Sequence, residues 1–163
     1  MSKRNKLSKF EDIMSYPNVY QNFSPKEIKP MGQGGKVVQL KGKWAEHFGD
    51  QKPITLELAC GRGEYTIQLA RDYTDRNFIG VDVKGARIWK GATMALSEGL
   101  DNVAFMRTKI EVIEEFFAPN EISEIWITFA DPFLGKPNRR LTAPDFHDRY
   151  KRMLIDGGVV NMK

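Results

Sequence analysis

Ile54-Thr55-Leu56-Glu57-Leu58-Ala59-Cys60-Gly61-Arg62-Gly63-Glu64-Tyr65 is the stretch that decides the fold. Ile54 to Leu58 is short, β-branched and apolar, and reads as a strand. Gly61 and Gly63 break it and let the backbone approach a ligand closely. The helix after the turn has Tyr65, Leu69, Ala70 and Tyr73 as its expected apolar face. Downstream, Phe78-Ile79-Gly80-Val81 reads as a second strand. Its helix carries Ile88, Ala92, Ala95 and Leu96 at helical spacing. Val103 to Met106 is a third strand, followed by a short helix near Ile110, Ile113 and Phe117. Ile125 to Phe129 is a fourth. A last helix has Phe146, Tyr150, Met153 and Leu154 on one stripe. Gly157-Gly158 is expected to stop it, and Val159-Val160-Asn161-Met162 to begin a fifth strand. Strands alternating with helices give an α/β, Rossmann-like parallel sheet with helices on both faces. Ligands of such sheets sit at the carboxyl ends of the strands.

The turn narrows the ligand. A dinucleotide fingerprint wants a third glycine where this sequence has Thr66, and no Gly-Lys-Ser/Thr phosphate loop is present. Asp82 ends the second strand, 25 residues after Glu57, where a carboxylate accepts ribose hydroxyls. Glu57 beside the turn would repel a diphosphate but suits a cationic ligand. S-adenosylmethionine, with its ammonium and sulfonium, is such a ligand. The other role for Glu57 is a helix-capping acid or a surface charge. Thr108 ends the third strand, where its hydroxyl either meets an adenine edge or caps the next helix.

Thr128-Phe129-Ala130-Asp131-Pro132-Phe133 follows the fourth strand. Asp131 lies where a methyl acceptor must be positioned in line with the donor. An Asp-Pro turn with no chemistry is the alternative. Lys136-Pro137-Asn138-Arg139-Arg140 then supplies cations beside that position. They either grip phosphates or form an exposed basic loop.

Bulk properties bound these readings. The 163 residues suffice for one domain, and 41% hydrophobic with 28% charged residues is ordinary globular composition. Cys60 is the single cysteine and the histidines are His47 and His147, which argues against disulfides or a zinc site. No apolar run reaches the roughly 20 residues of a membrane span, and no secretory signal opens the chain, so the expected compartment is the cytoplasm. Charge is uneven: residues 1–43 carry nine Lys/Arg against three Asp/Glu, the rest sixteen against eighteen. Residues 1–40 therefore read as a basic arm and linker, and 41–163 as the Rossmann-like domain. The arm is either a solvated tail or a contact for a polyanion. Its aromatics, Phe10, Tyr16, Tyr20 and Phe23, either dock on the domain or meet RNA bases.

With these motifs in hand, the chain resembles the bacterial tRNA (guanine-N7-)-methyltransferases. The resemblance rests on Lys41-Gly42-Lys43-Trp44 with Phe48-Gly49, on Leu56 to Tyr65 and on Phe78 to Ala86. It rests most on Phe129-Ala130-Asp131-Pro132-Phe133 with Arg139-Arg140-Leu141-Thr142. It implies methyl transfer from S-adenosylmethionine to N7 of a variable-loop guanosine in tRNA, leaving S-adenosylhomocysteine. It implies that Glu57, Gly61, Gly63, Asp82 and Thr108 hold the cofactor, with Asp131 both catalytic and lining that pocket. Lys136, Arg139 and Arg140 would contact RNA, and no metal or membrane is expected. Family members continue with a Thr-Asp pair, further helix and strand and a Thr-x-x-Glu element, so the sheet here is expected to lack its C-terminal strands. Rival readings are a methyltransferase of a small molecule or protein, an inactive tRNA-binding remnant, and a nicotinamide-dependent dehydrogenase.

Overall fold

The computed structural model describes residues 5–128, 135–136 and 140–163. Among the described residues six strands form one sheet: β1 (Val19–Gln21), β2 (Ile54–Leu58), β3 (Asn77–Asp82), β4 (Val103–Arg107), β5 (Ile122–Ile127) and β6 (Leu154–Met162). The spatial order is β1-β4-β3-β2-β5-β6, and every pairing is parallel. The chain runs outward from β2 through β3 to β4, then restarts on the other side of β2 with β5. The carboxyl end of β2 is thus the switch point, where such sheets open a crevice.

The helices are α1 (Lys6–Ser15), α2 (Trp44–Phe48), α3 (Glu64–Asp72), α4 (Gly85–Ser97) and α5 (Pro144–Met153). Alternation along the strands divides their side chains between two cores. Leu56, Leu58, Ile79, Val81, Ala104, Met106, Ile125 and Ile127 join Trp44 of α2 and Phe146, Tyr150 and Met153 of α5. Phe78, Val103 and Phe105 join Ile13 of α1, Ile67 and Ala70 of α3 and Ile88, Ala92 and Ala95 of α4. A period-2 strand between two layers buries both of its faces.

Trp44 explains the Lys-Gly-Lys-Trp stretch. It is fully buried, its Nε1 donates to the Phe116 carbonyl at 2.8 Å, and its ring stacks on Phe117 at 5.3 Å. Glu121 fixes the approach: its carboxylate accepts from the backbone N–H of Gly42 at 2.9 Å, Ala118 at 2.8 Å and Trp44 at 3.3 Å.

Several expected boundaries and faces differ. The buried stripe of α3 is Thr66, Ile67 and Ala70, and Tyr73 is 45% exposed. Gly63 caps this helix in the left-handed region, φ +73°. On α4, Gly91 takes the inward place and Leu96 is exposed. After β4 comes a 3-10 turn, Ile110–Glu115. β5 begins earlier than expected, at Ile122. α5 ends at Met153, and Leu154 already pairs with Ile122. Gly157-Gly158 does not stop the helix; it lies in a bulge of β6, whose register shifts between Ile122 and Glu124.

Residues 5–40 contribute α1, packed on α4, and β1, hydrogen-bonded to β4. Phe10 and Tyr16 pack against one core and Tyr20 lies in the other, whereas Phe23 is 54% exposed. No helix among the described residues is long and apolar enough to cross a membrane.

Candidate functional site

The site is built at the adjacent ends of β2, β3 and β4. After β2 the chain turns through Ala59 (φ +56°), Gly61 (φ +59°) and Gly63 (φ +73°). The Gly63 N–H donates to the Cys60 carbonyl at 2.9 Å, closing the turn. At Gly63 glycine is required twice over, because a Cβ would stand 2.6 Å from the Phe105 ring. The same ring would meet a Cβ at Gly91 at 2.6 Å and at Gly80 at 2.8 Å. Three glycines on three elements therefore let one buried phenylalanine set how closely the turn, β3 and α4 approach. Gly61 differs: a Cβ there would meet nothing within 4 Å, so this part of the turn borders open space.

Two carboxylates face the turn. Asp82 is 6% exposed; its Oδ2 accepts from the Gly61 N–H at 2.9 Å and its Oδ1 from the Lys84 N–H at 2.8 Å. An ionised carboxylate has about four acceptor sites, so each oxygen keeps one for a ligand. Glu57 is 2% exposed. Its Oε1 accepts from the Thr66 N–H at 3.2 Å and the Thr66 hydroxyl at 2.6 Å, and its Oε2 accepts from the Thr128 hydroxyl. Thr66 is the third residue of α3, so Glu57 does serve as a capping acid, reached from a neighbouring strand. Burial holds its pKa above the usual value, and the charge of Asp82 adds to this. The hydrogen bonds from Thr128 and Thr66 pull the other way without cancelling it. Among the described residues the hydrogen-bond donors that meet this buried carboxylate are neutral, a backbone N–H and two hydroxyls, and a buried carboxylate so held favours a cationic ligand.

Thr108 is 2% exposed, and its N–H donates to the Asp82 carbonyl at 3.1 Å. Its hydroxyl donates to the Lys109 carbonyl at 3.3 Å, and the 3-10 turn that follows has no side-chain cap. Thr108 is therefore not a helix cap. The structure thus brings Glu57, Gly61, Gly63, Asp82 and Thr108 into one cluster. Lys136 is exposed and Arg140 half-buried in the segment before α5. Asp131 and Arg139 lie outside the described residues. Among the described residues no group of His, Cys, Asp or Glu is arranged to hold a metal ion.

Three residues of this cluster escaped the sequence reading. Thr66 was legible as the missing third glycine, and here its hydroxyl holds Glu57. Thr128 closes the same carboxylate from the end of β5. Phe105 read as an ordinary strand residue, and only the spatial convergence of three glycines reveals its part.

Comparison with known proteins places this chain in a family. A family model described as "Putative methyltransferase" matches residues 51–163. A tRNA (guanine-N(7)-)-methyltransferase of Christiangramia forsetii is 51% identical over 166 residues, covering the whole of this chain and 71% of the relative. The chain belongs to the tRNA (guanine-N(7)-)-methyltransferase family. A second relative of that name, from Bacteroides fragilis, is 49% identical over 98% of this chain; the chain spans 62% of that relative's length. Among solved structures, the aminoglycoside resistance methyltransferase NpmB1 superposes with a TM-score of 0.63 at 19% identity, over 83% of this chain and 67% of the other. That likeness shows the Rossmann-like methyltransferase fold. Within the family frame, the carboxyl ends of β2 to β4 form the face where Glu57, Asp82 and the glycine turn converge.

Proposed function

We propose that this chain transfers the methyl group of S-adenosylmethionine to N7 of a variable-loop guanosine in tRNA. The observation that carries the reading is the pairing of two buried carboxylates, Glu57 and Asp82, held among the described residues by neutral donors only, across a glycine turn at the carboxyl end of β2. The donor set fits the cofactor. Asp82 takes the ribose hydroxyls, Glu57 attracts the ammonium through its charge, Gly61 and Gly63 admit the chain's backbone to close approach, and Thr108 borders the base. When bound, S-adenosylmethionine supplies an electrophilic methyl on sulfur.

Transfer of that methyl to the N7 lone pair would leave the sulfur neutral, with the electrons of the broken carbon–sulfur bond, and the purine cationic. N7 carries no proton, so no general base is needed. The protein's task is alignment and stabilisation of the growing charge. We assign that task to Asp131, just past β5, with Lys136, Arg139 and Arg140 holding phosphates nearby. Cytoplasm is the compartment that goes with a tRNA substrate.

The test is incubation of the purified chain with unmodified tRNA transcript and methyl-labelled S-adenosylmethionine, followed by mapping of N7-methylguanosine. Label at one variable-loop guanosine is expected. Label on another position, or no transfer from a chain that binds both ligands, contradicts the proposal.

A further inference from the structure

Residues 5–31 hold a feature that the cofactor site does not use. β1 lies parallel to β4 with Gln21 opposite Arg107, and the Asn22 N–H donates to the Arg107 carbonyl at 2.9 Å. Asn22 is 5% exposed and fixes the loop beyond: its Nδ2 donates to the Ser24 carbonyl at 2.9 Å, and its Oδ1 accepts from the Lys29 N–H at 2.7 Å. The next residue, Phe23, is held at the end of the sheet with its ring 54% exposed.

Arg107 locks that ring. Its guanidinium lies 5.1 Å from the Phe10 ring and 5.5 Å from the Phe23 ring. It also donates to Gln21 Oε1 at 3.1 Å and to the Val83 carbonyl at 3.4 Å. The arginine is thus committed inside the protein, and one role left to it is to hold Phe23 still. Arg107 pairs in register with Asp82, so this aromatic position borders the cofactor end of the sheet. Exposed Lys84 and Lys109 follow β3 and β4 at the same end of the sheet, and Val83, next to Lys84, is 49% exposed. Lys6 lies over Phe10 at 5.8 Å on the α1 side.

An exposed ring at the end of β1, with exposed lysines just past the ends of β3 and β4 in the same sheet, matches the chemistry of unpaired nucleic acid: bases stack on the ring and phosphates meet the cations. We propose that Phe23, with Lys84 and Lys109, forms an RNA contact beside the cofactor end, at which an unpaired base of the tRNA stacks on Phe23. This rests on the tRNA reading above. Arg107 and Asn22 are positioning residues for it, acting through Phe23.

The test is fluorescence anisotropy of labelled, unmodified tRNA transcript with the whole chain, with calorimetric titration of S-adenosylhomocysteine on the same samples. Phe23→Ala is expected to weaken tRNA binding by about tenfold, the order of one lost stacking contact, with cofactor affinity unchanged. Phe23→Trp keeps the stacking face and should retain wild-type binding. Lys84→Gln with Lys109→Gln should flatten the dependence of log K on log salt by roughly 1.5, the slope for two phosphates. Wild-type tRNA affinity in Phe23→Ala overturns this surface and leaves the tRNA reading standing. A wild-type chain that binds cofactor but no tRNA overturns both.

Discussion

Gly61 and Gly63 follow β2, while Gly157 and Gly158 interrupt β6, and Gly61, Gly63 and Gly157 all have positive φ. In the first pair Gly63 is pressed against the Phe105 ring and Gly61 donates its N–H to a buried carboxylate. In the second, Gly157 has nothing within 4 Å of its missing Cβ, and the residues around it are open: Ile155 is 40% exposed and Val159 50%. Gly158 is crowded only by its own strand: a Cβ there would stand 2.9 Å from the Ile155 carbonyl and 3.1 Å from Leu154. Gly63 and Gly157 thus share a positive φ but differ in what other elements deliver to them, the Phe105 ring in one case and, among the described residues, nothing in the other.

Substitution separates the two pairs. Gly63→Ala has the largest expected effect. It combines a left-handed backbone at about 1–2 kcal/mol with overpacking against Phe105 at about 1–3 kcal/mol. Thermal unfolding should move down by roughly 5–15 °C, with cofactor affinity lost as the turn shifts. A drop of a degree or two would show that Phe105 yields and does not set the turn. Gly157→Ala has only the backbone term, about 1–2 kcal/mol, and should lower the midpoint by roughly 2–6 °C while cofactor titration stays unchanged. Loss of cofactor binding in that variant would break the contrast.

How far the sequence reaches follows the same division. The β2-α3-β3-α4-β4 run is legible because each strand is an apolar run, β2 closed by glycines and β3 by Asp82, and its helices repeat apolar residues at helical spacing. β1 was not, since three residues after Pro17 show no alternation and draw their definition from β4. The basic character of residues 1–43 hid α1, whose buried anchor is the single residue Ile13. Gly157-Gly158 misled because a helix stop and a strand bulge use the same left-handed backbone. At the site, Glu57, Asp82 and the glycines were legible from their places at strand ends. Thr66, Thr128 and Phe105 matter through contacts between distant segments, which periodicity does not encode. Arg107 likewise reads as one more cation until Phe10 and Phe23 are brought to it.

Glu57 gives the most direct test of the proposed cofactor site. Its pKa is raised in the folded state, so its contribution to stability is complete below the unfolded value of 4.5 and is lost as pH rises through the folded pKa. At neutral pH the uncomplexed protein therefore carries a cost that a cationic ligand relieves. Glu57→Gln removes the charge and keeps a side chain that can still meet Thr66 and Thr128. The measurement is calorimetric titration of S-adenosylhomocysteine into wild type and Glu57→Gln at pH 7, with the unfolding midpoint of each ligand-free protein. The account predicts affinity lower by roughly tenfold to a hundredfold, the scale of a charged hydrogen bond, with a midpoint equal to wild type or higher. Wild-type affinity together with a lowered midpoint would contradict it and leave Glu57 as a helix cap alone.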